Sequence, residues 1–357
     1  MMRFEIDSDI KDIPYYPRAT KYGGDDSLVR LASNENPFPP SPRVLNAILD
    51  TLFSITRYPG SESGLREMIG KRFGITGGHV VLGNGSDEII EMVLKIARVR
   101  GRDRIIITDP AFAYYNIASR VFAYDVVKVP LRDMRTDLKA IRGAVDERTR
   151  VIFLNNPLNP TGTIFREEEF KGFLGDLPPH ILVAVDEAYA EFAEDINFPD
   201  SVRFIDSHPV LILRTFSKAY ALAGLRIGYC LGGVTLISYL ERTRQPFSIN
   251  NIALVAAEAA LMDTGFLNAV LENNKIGKAF YYNVLRELRL EFIPTEANFI
   301  LIRLGKEAGE ITKRLLEEGM LVRWMGAYSL PEYVRVTIGK MDENIRFIEA
   351  LRRIINA

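Results

Sequence analysis

Thr215, Ser217, Lys218 and Arg226 stand close together in the chain, with only small or apolar residues and Tyr220 among the residues between the lysine and the arginine. An apolar run at 210–213 precedes the lysine, and the alanines and glycine after it can pack closely against a bound group. A lysine so placed is partly desolvated, which lowers its pKa and frees a neutral amine for Schiff-base chemistry. Hydroxyls and a forked guanidinium nearby suit a phosphate. The segment reads as an amine nucleophile beside an anion cradle. Its plain alternative is a surface lysine in a strand-to-helix loop.

Four further segments carry polar or aromatic residues just after short apolar runs. Gly83-Asn84-Gly85-Ser86-Asp87-Glu88 opens a helical pattern, where exposed N–H groups and the positive end of the helix dipole suit a phosphate. Glu88 stands where a dinucleotide fingerprint needs its third glycine, so that motif is excluded; alone the segment is also an ordinary tight turn and cap. In Asn155-Asn156-Pro157-Leu158-Asn159-Pro160-Thr161-Gly162 two prolines fix the chain and hold the Asn159 amide inward, or simply make a turn. Asp186 ends an apolar run, where an unpaired carboxylate costs several kcal/mol, and Tyr189 follows three residues on. A pyridinium N–H would satisfy that acid; a helix N-cap is the alternative. Aromatics in Pro110-Ala111-Phe112-Ala113-Tyr114-Tyr115 either lie on a planar ring or pack in the core. Phosphate cradle, aromatic, amide, acid, tyrosine and amine thus follow one another in chain order, each at a strand end. Pyridoxal phosphate requires that set.

The elements that must position these residues alternate. Expected strands are 79–82, 104–108, 125–129, 151–154, 181–185, 210–213 and 226–231, most without period-two alternation, as in a parallel sheet buried on both faces. Helical patterns lie between them, the first with Ser86 as N-cap. This predicts an α/β fold, a doubly wound layer with a mostly parallel sheet, whose ligands bind at the carboxyl ends of the strands. Residues 1–45, rich in proline, read as an extended arm that joins the smaller domain; 46–260 form the large domain. Residues 261–357, with helices expected at 266–290, 306–318 and 343–355 and strands at 297–304, 321–324 and 333–338, form a smaller α/β domain.

The 357 residues are 47% hydrophobic and 25% charged with a formal net charge of −1, a balance that builds no field for nucleic acid or an acidic membrane. The single cysteine, Cys230, sits in an apolar run and cannot form an internal disulfide. No apolar stretch reaches the roughly 18 residues of a membrane span, and the first residues mix acids into the sequence without an apolar leader, so a cytoplasmic location is expected. No metal site is expected.

With these residues in view the chain resembles the fold-type I pyridoxal phosphate enzymes, specifically the class I/II aminotransferases, and within them looks most like the histidinol-phosphate aminotransferases. The resemblance runs from Tyr15 to Arg335 and rests on Ser33-Asn34-Glu35-Asn36-Pro37, Arg57-Tyr58-Pro59, the 83–88 loop, Asn159–Gly162, Asp186–Tyr189, the Lys218 segment and Val334–Gly339. It implies that Lys218 carries the cofactor and shuttles a proton, Asp186 pairs the pyridine nitrogen, and Asn159 and Tyr189 bind the phenolic oxygen. It also implies that Tyr115 stacks on the ring, while Gly85, Ser86, Asp87, Ser217 and Arg226 hold the phosphate. Tyr58 would reach that phosphate from the other subunit of a homodimer. Tyr15, Arg323 and Arg335 would grip the phosphate of the amino donor and, in the other half-reaction, the carboxylates of glutamate, formed from 2-oxoglutarate. Departures are Ala111 and Ala113 before the stacking tyrosine, Gly60 after Tyr58-Pro59, and Leu158. An aromatic amino acid aminotransferase and a threonine-phosphate decarboxylase of the same fold are the alternatives. A cofactor-binding regulator is disfavoured, because the arm is too short for a DNA-binding domain and the charge is wrong.

Overall fold

The computed structural model describes residues 8–17 and 28–356; residues 1–7 and 18–27 of the expected arm lie outside that range. The apolar runs form seven strands: β1 (Val80–Gly83), β2 (Arg104–Asp109), β3 (Asp125–Pro130), β4 (Thr149–Asn155), β5 (Leu182–Asp186), β6 (Val210–Thr215) and β7 (Gly228–Gly232). They make one sheet in the order β1-β7-β6-β5-β4-β2-β3. All neighbours are parallel except β7, which runs antiparallel to both β1 and β6. All but the edge strand β3 lack an exposed face because both faces are packed, whereas β3 keeps Asp125 and Lys128 exposed. Leu82, Ile106, Ile152, Val183 and Ile212 enter one core, while Val81, Ile105, Val151, Leu182, Leu211 and Cys230 enter the other. Buried apolar surface on two sides removes any reason for hydrophobic-polar alternation. Cys230 is buried and free, and burial pushes its thiol up.

Two local departures bear on the site. The last strand of this sheet begins at Gly228, not at 226, because Arg226 has a φ of 55° and cannot join an extended ladder. The first helix after β1, α1 (Gly85–Ile96), starts one residue before the expected Ser86 cap, and Asn84 in the cap position makes no side-chain capping bond. Gly85 has a φ of 73°, and a Cβ there would run into the Arg226 guanidinium. The turn needs glycine for both reasons.

A second sheet of four antiparallel strands, in the order β10-β11-β9-β8, uses β8 (Phe292–Ile293), β9 (Phe299–Arg303), β10 (Arg323–Trp324) and β11 (Tyr333–Thr337). Val29–Arg30 pairs in parallel with Met320–Leu321, so these two residues pack with the C-terminal part of the chain. Val29 and Leu31 share a core with Tyr281, Ile300, Leu315, Val336 and Phe347. One long helix, α2 (Thr264–Glu287), spans two cores: Leu267 and Val270 pack with the large sheet, Tyr281 and Leu285 with the small one.

Gly228 pairs with Thr215 on one side and Gly83 on the other. A Cβ on it would stand 2.8 Å from the Arg214 carbonyl oxygen and 3.0 Å from the Ser86 nitrogen, both backbone atoms that cannot turn aside. Gly228→Ala should therefore cost about 1–3 kcal/mol, read as a lower urea midpoint at unchanged m value. A midpoint equal to wild type would show that the start of α1 is free to move.

Candidate active site

The carboxyl edge of the large sheet brings the strand-end residues together. Asn155 and Asp186 are direct neighbours across β4 and β5, and Asp186 faces Leu213 across β5 and β6. Asn155, Asn159, Asp186, Tyr189, Thr215, Ser217, Lys218, Ser86, Asp87 and Arg226 line one cavity of about 450 Å³. Two larger hollows of about 540 and 670 Å³ lie beside Phe247, the second also beside Tyr58. Charged groups lining the first, Arg66 and Arg244, are already paired with Glu241 and Glu62. The chemistry is in the smaller cavity.

Lys218 Nζ donates to the Ser33 carbonyl at 3.1 Å and lies 5.8 Å from the Tyr189 ring centroid. Burial, with the positive charges of Arg335 and Arg226, lowers its amine from the ordinary 10.5 to about 8. Among the described residues no carboxylate forms an ion pair with it, and the charges of Glu35 and Asp87 offset the shift only in part, so the amine loses its proton easily. Asp186 is fully enclosed. One carboxylate oxygen accepts from the Ala188 N–H at 3.1 Å, and the other from the Tyr115 hydroxyl at 2.5 Å. Burial pushes its pKa up to about 6 against those two bonds. A cationic N–H reaching the carboxylate would restore its charge. The group is thus a buried acid with room for a cationic partner.

Asn159 Nδ2 donates to the Tyr189 hydroxyl at 3.3 Å, while its own N–H donates to Asn155 Oδ1 at 2.7 Å. Arg335 Nη1 donates to Asn159 Oδ1, and Nη2 donates to the Ala32 carbonyl at 2.9 Å. At the other end of the cavity Arg226 reaches Ser217 Oγ at 3.5 Å and Asp87 Oδ2 at 3.1 Å, and Thr215 Oγ1 donates to Ser217 Oγ at 2.9 Å. The first N–H groups of α1 open there too, free of intrahelical bonds by the geometry of any helix start. Hydroxyls, a guanidinium and a helix N-terminus make an anion cradle.

Tyr115, Tyr15, Arg323 and Tyr58, all expected at the site, do not line this cavity. Tyr115 is 1% exposed, its ring stacked on Phe153 at 5.2 Å and its hydroxyl on Asp186. Phe112, just before the helix Ala113–Val121, takes the lining position, because the helix turns Tyr115 toward the core. Tyr15 is 99% exposed and Tyr16 lines the cavity, with its ring 6.1 Å from Phe112. In an extended segment neighbouring side chains point to opposite sides, so one residue decides which enters. Arg323 stands directly opposite Arg335 across β10 and β11 but turns its Nη2 to the Pro17 carbonyl and lies over the Tyr328 ring. Tyr58 is exposed and stacks on Phe247 at 4.5 Å within its own chain. Asn155 and Ser33 are cavity residues to which the sequence reading assigned no role, with the position of Asn155 at a strand end as the available signal, and Phe112 was one of the aromatics left open between ring contact and core packing.

Pyridoxal phosphate fits these residues. The enclosed Asp186 carboxylate suits its ring nitrogen, the cradle at Ser217 and Arg226 suits its phosphate, and an amine with a lowered pKa lines the same cavity.

Comparison with known proteins agrees with this geometry. Residues 26–351 match the family Aminotransferase class I and II. Histidinol-phosphate aminotransferase 2 of Pseudomonas fluorescens is 43% identical over 331 residues, 92% of this chain and 89% of the relative. The histidinol-phosphate aminotransferase of a Geobacillus species is 38% identical over 98% of both chains. The crystal structure of histidinol-phosphate aminotransferase from Sinorhizobium meliloti in complex with pyridoxal-5'-phosphate superposes with a TM-score of 0.86 at 28% identity, covering 92% of this chain and 91% of that one. The fold-type I architecture, the cavity at the sheet's carboxyl edge and the family match over most of its length place this chain among the class I and II aminotransferases.

Proposed function

We propose that the chain is a pyridoxal-phosphate-dependent aminotransferase that takes its amino group from histidinol phosphate and passes it to 2-oxoglutarate, a step of histidine biosynthesis carried out in the cytoplasm. One observation carries the choice of an anionic donor. Arg335 is 6% exposed, its Nε has no partner, and among the described residues no carboxylate forms an ion pair with it or with Arg323 opposite. Two guanidiniums facing each other across a ladder repel, and burial holds that of Arg335 below its ordinary value. An incoming phosphate or carboxylate relieves both costs through forked hydrogen bonds.

When bound, pyridoxal phosphate supplies an aldehyde that condenses with amines and a ring that accepts an electron pair. Lys218 Nζ holds the cofactor and then, as a neutral amine, takes the proton from the substrate α-carbon. Asp186 holds the ring N–H and keeps it protonated, with Tyr115 and the Ala188 N–H fixing the carboxylate. Asn159 and Tyr189 face the phenolic oxygen, and Phe112 takes the ring-facing place in the cavity lining. Ser217, Arg226 and the N–H groups of Gly85, Ser86 and Asp87 hold the phosphate. Arg335 turns from Asn159 to the substrate anion, with Arg323 and the tyrosines of the 15–16 segment beside it.

The working unit in this reading is a homodimer in which Tyr58 crosses to the partner's cofactor phosphate. Its support is a run of exposed apolar residues, Leu45, Leu49, Phe53, Ile55 and Tyr58, too many in sequence for an isolated surface. In the same reading residues 1–45 and 261–357 make one unit and 46–260 the other, with α2 passing between their cores.

The lysine assignment is tested on the cofactor-free protein. The folded-state pKa is depressed, so Lys218 should turn neutral as pH rises through about 8, and its reaction with an amine reagent should reach half its limit there while surface lysines need higher pH. In the loaded protein, borohydride should fix the cofactor to Lys218; a label on another lysine would remove the assignment. The donor is tested by single-turnover mixing with histidinol phosphate, phenylalanine, aspartate and phosphothreonine, following the cofactor's absorbance. The reading expects histidinol phosphate to react fastest, and a preference for phenylalanine would make the protein an aromatic aminotransferase. Arg335→Ala should lower kcat/KM for histidinol phosphate roughly tenfold to a hundredfold, the scale of a lost charge-assisted contact, and affect histidinol far less. Equal losses on both would make Arg335 structural.

A further inference from the structure

The Tyr189 oxygen receives two amide donors, from Asn159 Nδ2 at 3.3 Å and from Asn34 Nδ2 at 3.0 Å. Both amides are oriented by other bonds. Asn159 Oδ1 faces Arg335, which can only donate, so its NH₂ faces Tyr189. Asn34 has its Oδ1 toward the Thr337 hydroxyl at 3.5 Å, and its N–H donates to the same Thr337 Oγ1 at 2.9 Å. Its carbonyl accepts from Asn298 Nδ2 at 3.1 Å. Asn34 is 1% exposed and holds a φ of 54°, a conformation asparagine tolerates better than most residues. The backbone is thus held by Thr337 and Asn298, and the Thr337 hydroxyl orients the side-chain amide.

A phenolic oxygen has two lone pairs and one proton. Here both lone pairs are occupied by N–H donors, and among the described residues no protein group accepts the Tyr189 proton. Tyr189 itself lines the cavity. We propose that Asn34 is a positioning residue: by filling the second lone pair of the Tyr189 oxygen it turns the phenolic proton into the cavity, toward the bound cofactor's phenolic oxygen. Without Asn34, the hydroxyl could rotate and spend its proton elsewhere. The inference rests on the reading that Tyr189 faces that oxygen, and its test separates the two.

A hydrogen bond donated to the cofactor's phenolic oxygen favours the oxyanion and lowers the pH at which the bound chromophore titrates. The absorbance of the protein loaded with pyridoxal phosphate is titrated against pH for wild type, Tyr189→Phe, Asn34→Gly, Asn34→Asp and each Asn34 variant combined with Tyr189→Phe. Glycine keeps the positive φ while removing the amide and adds no charge. Aspartate keeps the shape but replaces the donor with an acceptor that takes the Tyr189 proton. Lys218, Asp186, Arg335 and Tyr328, the charged and titratable groups that act on Tyr189 and its neighbours, are unchanged in all variants. Tyr189→Phe should raise the midpoint by about 1–2 pH units, the scale of one charge-assisted hydrogen bond. Asn34→Asp should raise it comparably, Asn34→Gly by less, and neither should add to the shift in the Tyr189→Phe background. A shift with Tyr189→Phe but none with Asn34→Gly or Asn34→Asp would overturn the role of Asn34 alone. Additive shifts would show that Asn34 acts without Tyr189 and overturn it too. An unmoved midpoint in Tyr189→Phe would remove the reading of Tyr189 and the proposal with it.

Discussion

Parallel pairing of β4, β5 and β6 is the constraint on which the site depends. It sets Asn155 opposite Asp186 and Asp186 opposite Leu213, with the Asn156 N–H donating to the Asp186 carbonyl at 2.9 Å. A slip of one residue would turn each strand-end side chain to the other face of the sheet. Register is held because both faces are packed, so a slip would exchange two complete sets of core residues. The same edge carries Lys218, which follows β6 by three residues. An enclosed acid and a desolvated amine can coexist there only because each is held by neutral hydrogen-bond partners and not by the other.

Beneath that edge lies a buried ion cluster that keeps the strand ends in place. Arg214 on β6 pairs with Glu187 at 2.8 Å and Glu191 at 3.1 Å, and all three side chains are nearly or fully buried. Glu187 is the residue after Asp186, so the pair joins the ends of β5 and β6 on the face away from the cavity. Breaking such a pair from one side costs about 3–5 kcal/mol, because the partner's charge is left unpaired in a low dielectric. The cluster therefore resists any separation of Asp186 from Lys218.

The N-terminal segment closes the site from the opposite side. Ser33 accepts from Lys218 Nζ, and Asn36 Nδ2 donates to the Lys218 and Ala219 carbonyls at 3.0 and 3.2 Å. The Thr337 N–H donates to the Leu31 carbonyl, and Arg335 donates to that of Ala32. A short stretch thus joins the lysine loop to the second sheet. These bonds join residues more than 180 positions apart, and their formation waits on the fold as a whole.

Much of the fold was legible in the sequence, for a physical reason. Doubly buried strands must be continuously apolar, and a polar residue that ends such a strand must meet a partner, so Asp186, Asn159, Lys218 and Arg226 declare themselves from local pattern. Chain order alone also gave the mostly parallel sheet. What the sequence could not decide was direction. Whether Phe112 or Tyr115 faces the cavity depends on where one helix begins, and whether Tyr16 or Tyr15 does depends on a single residue of an extended segment. Nor could spacing show that Tyr115 supports Asp186, or that Asn34 meets Tyr189 across 155 positions. Those contacts join elements remote in the chain, and only tertiary packing brings their atoms within hydrogen-bond reach.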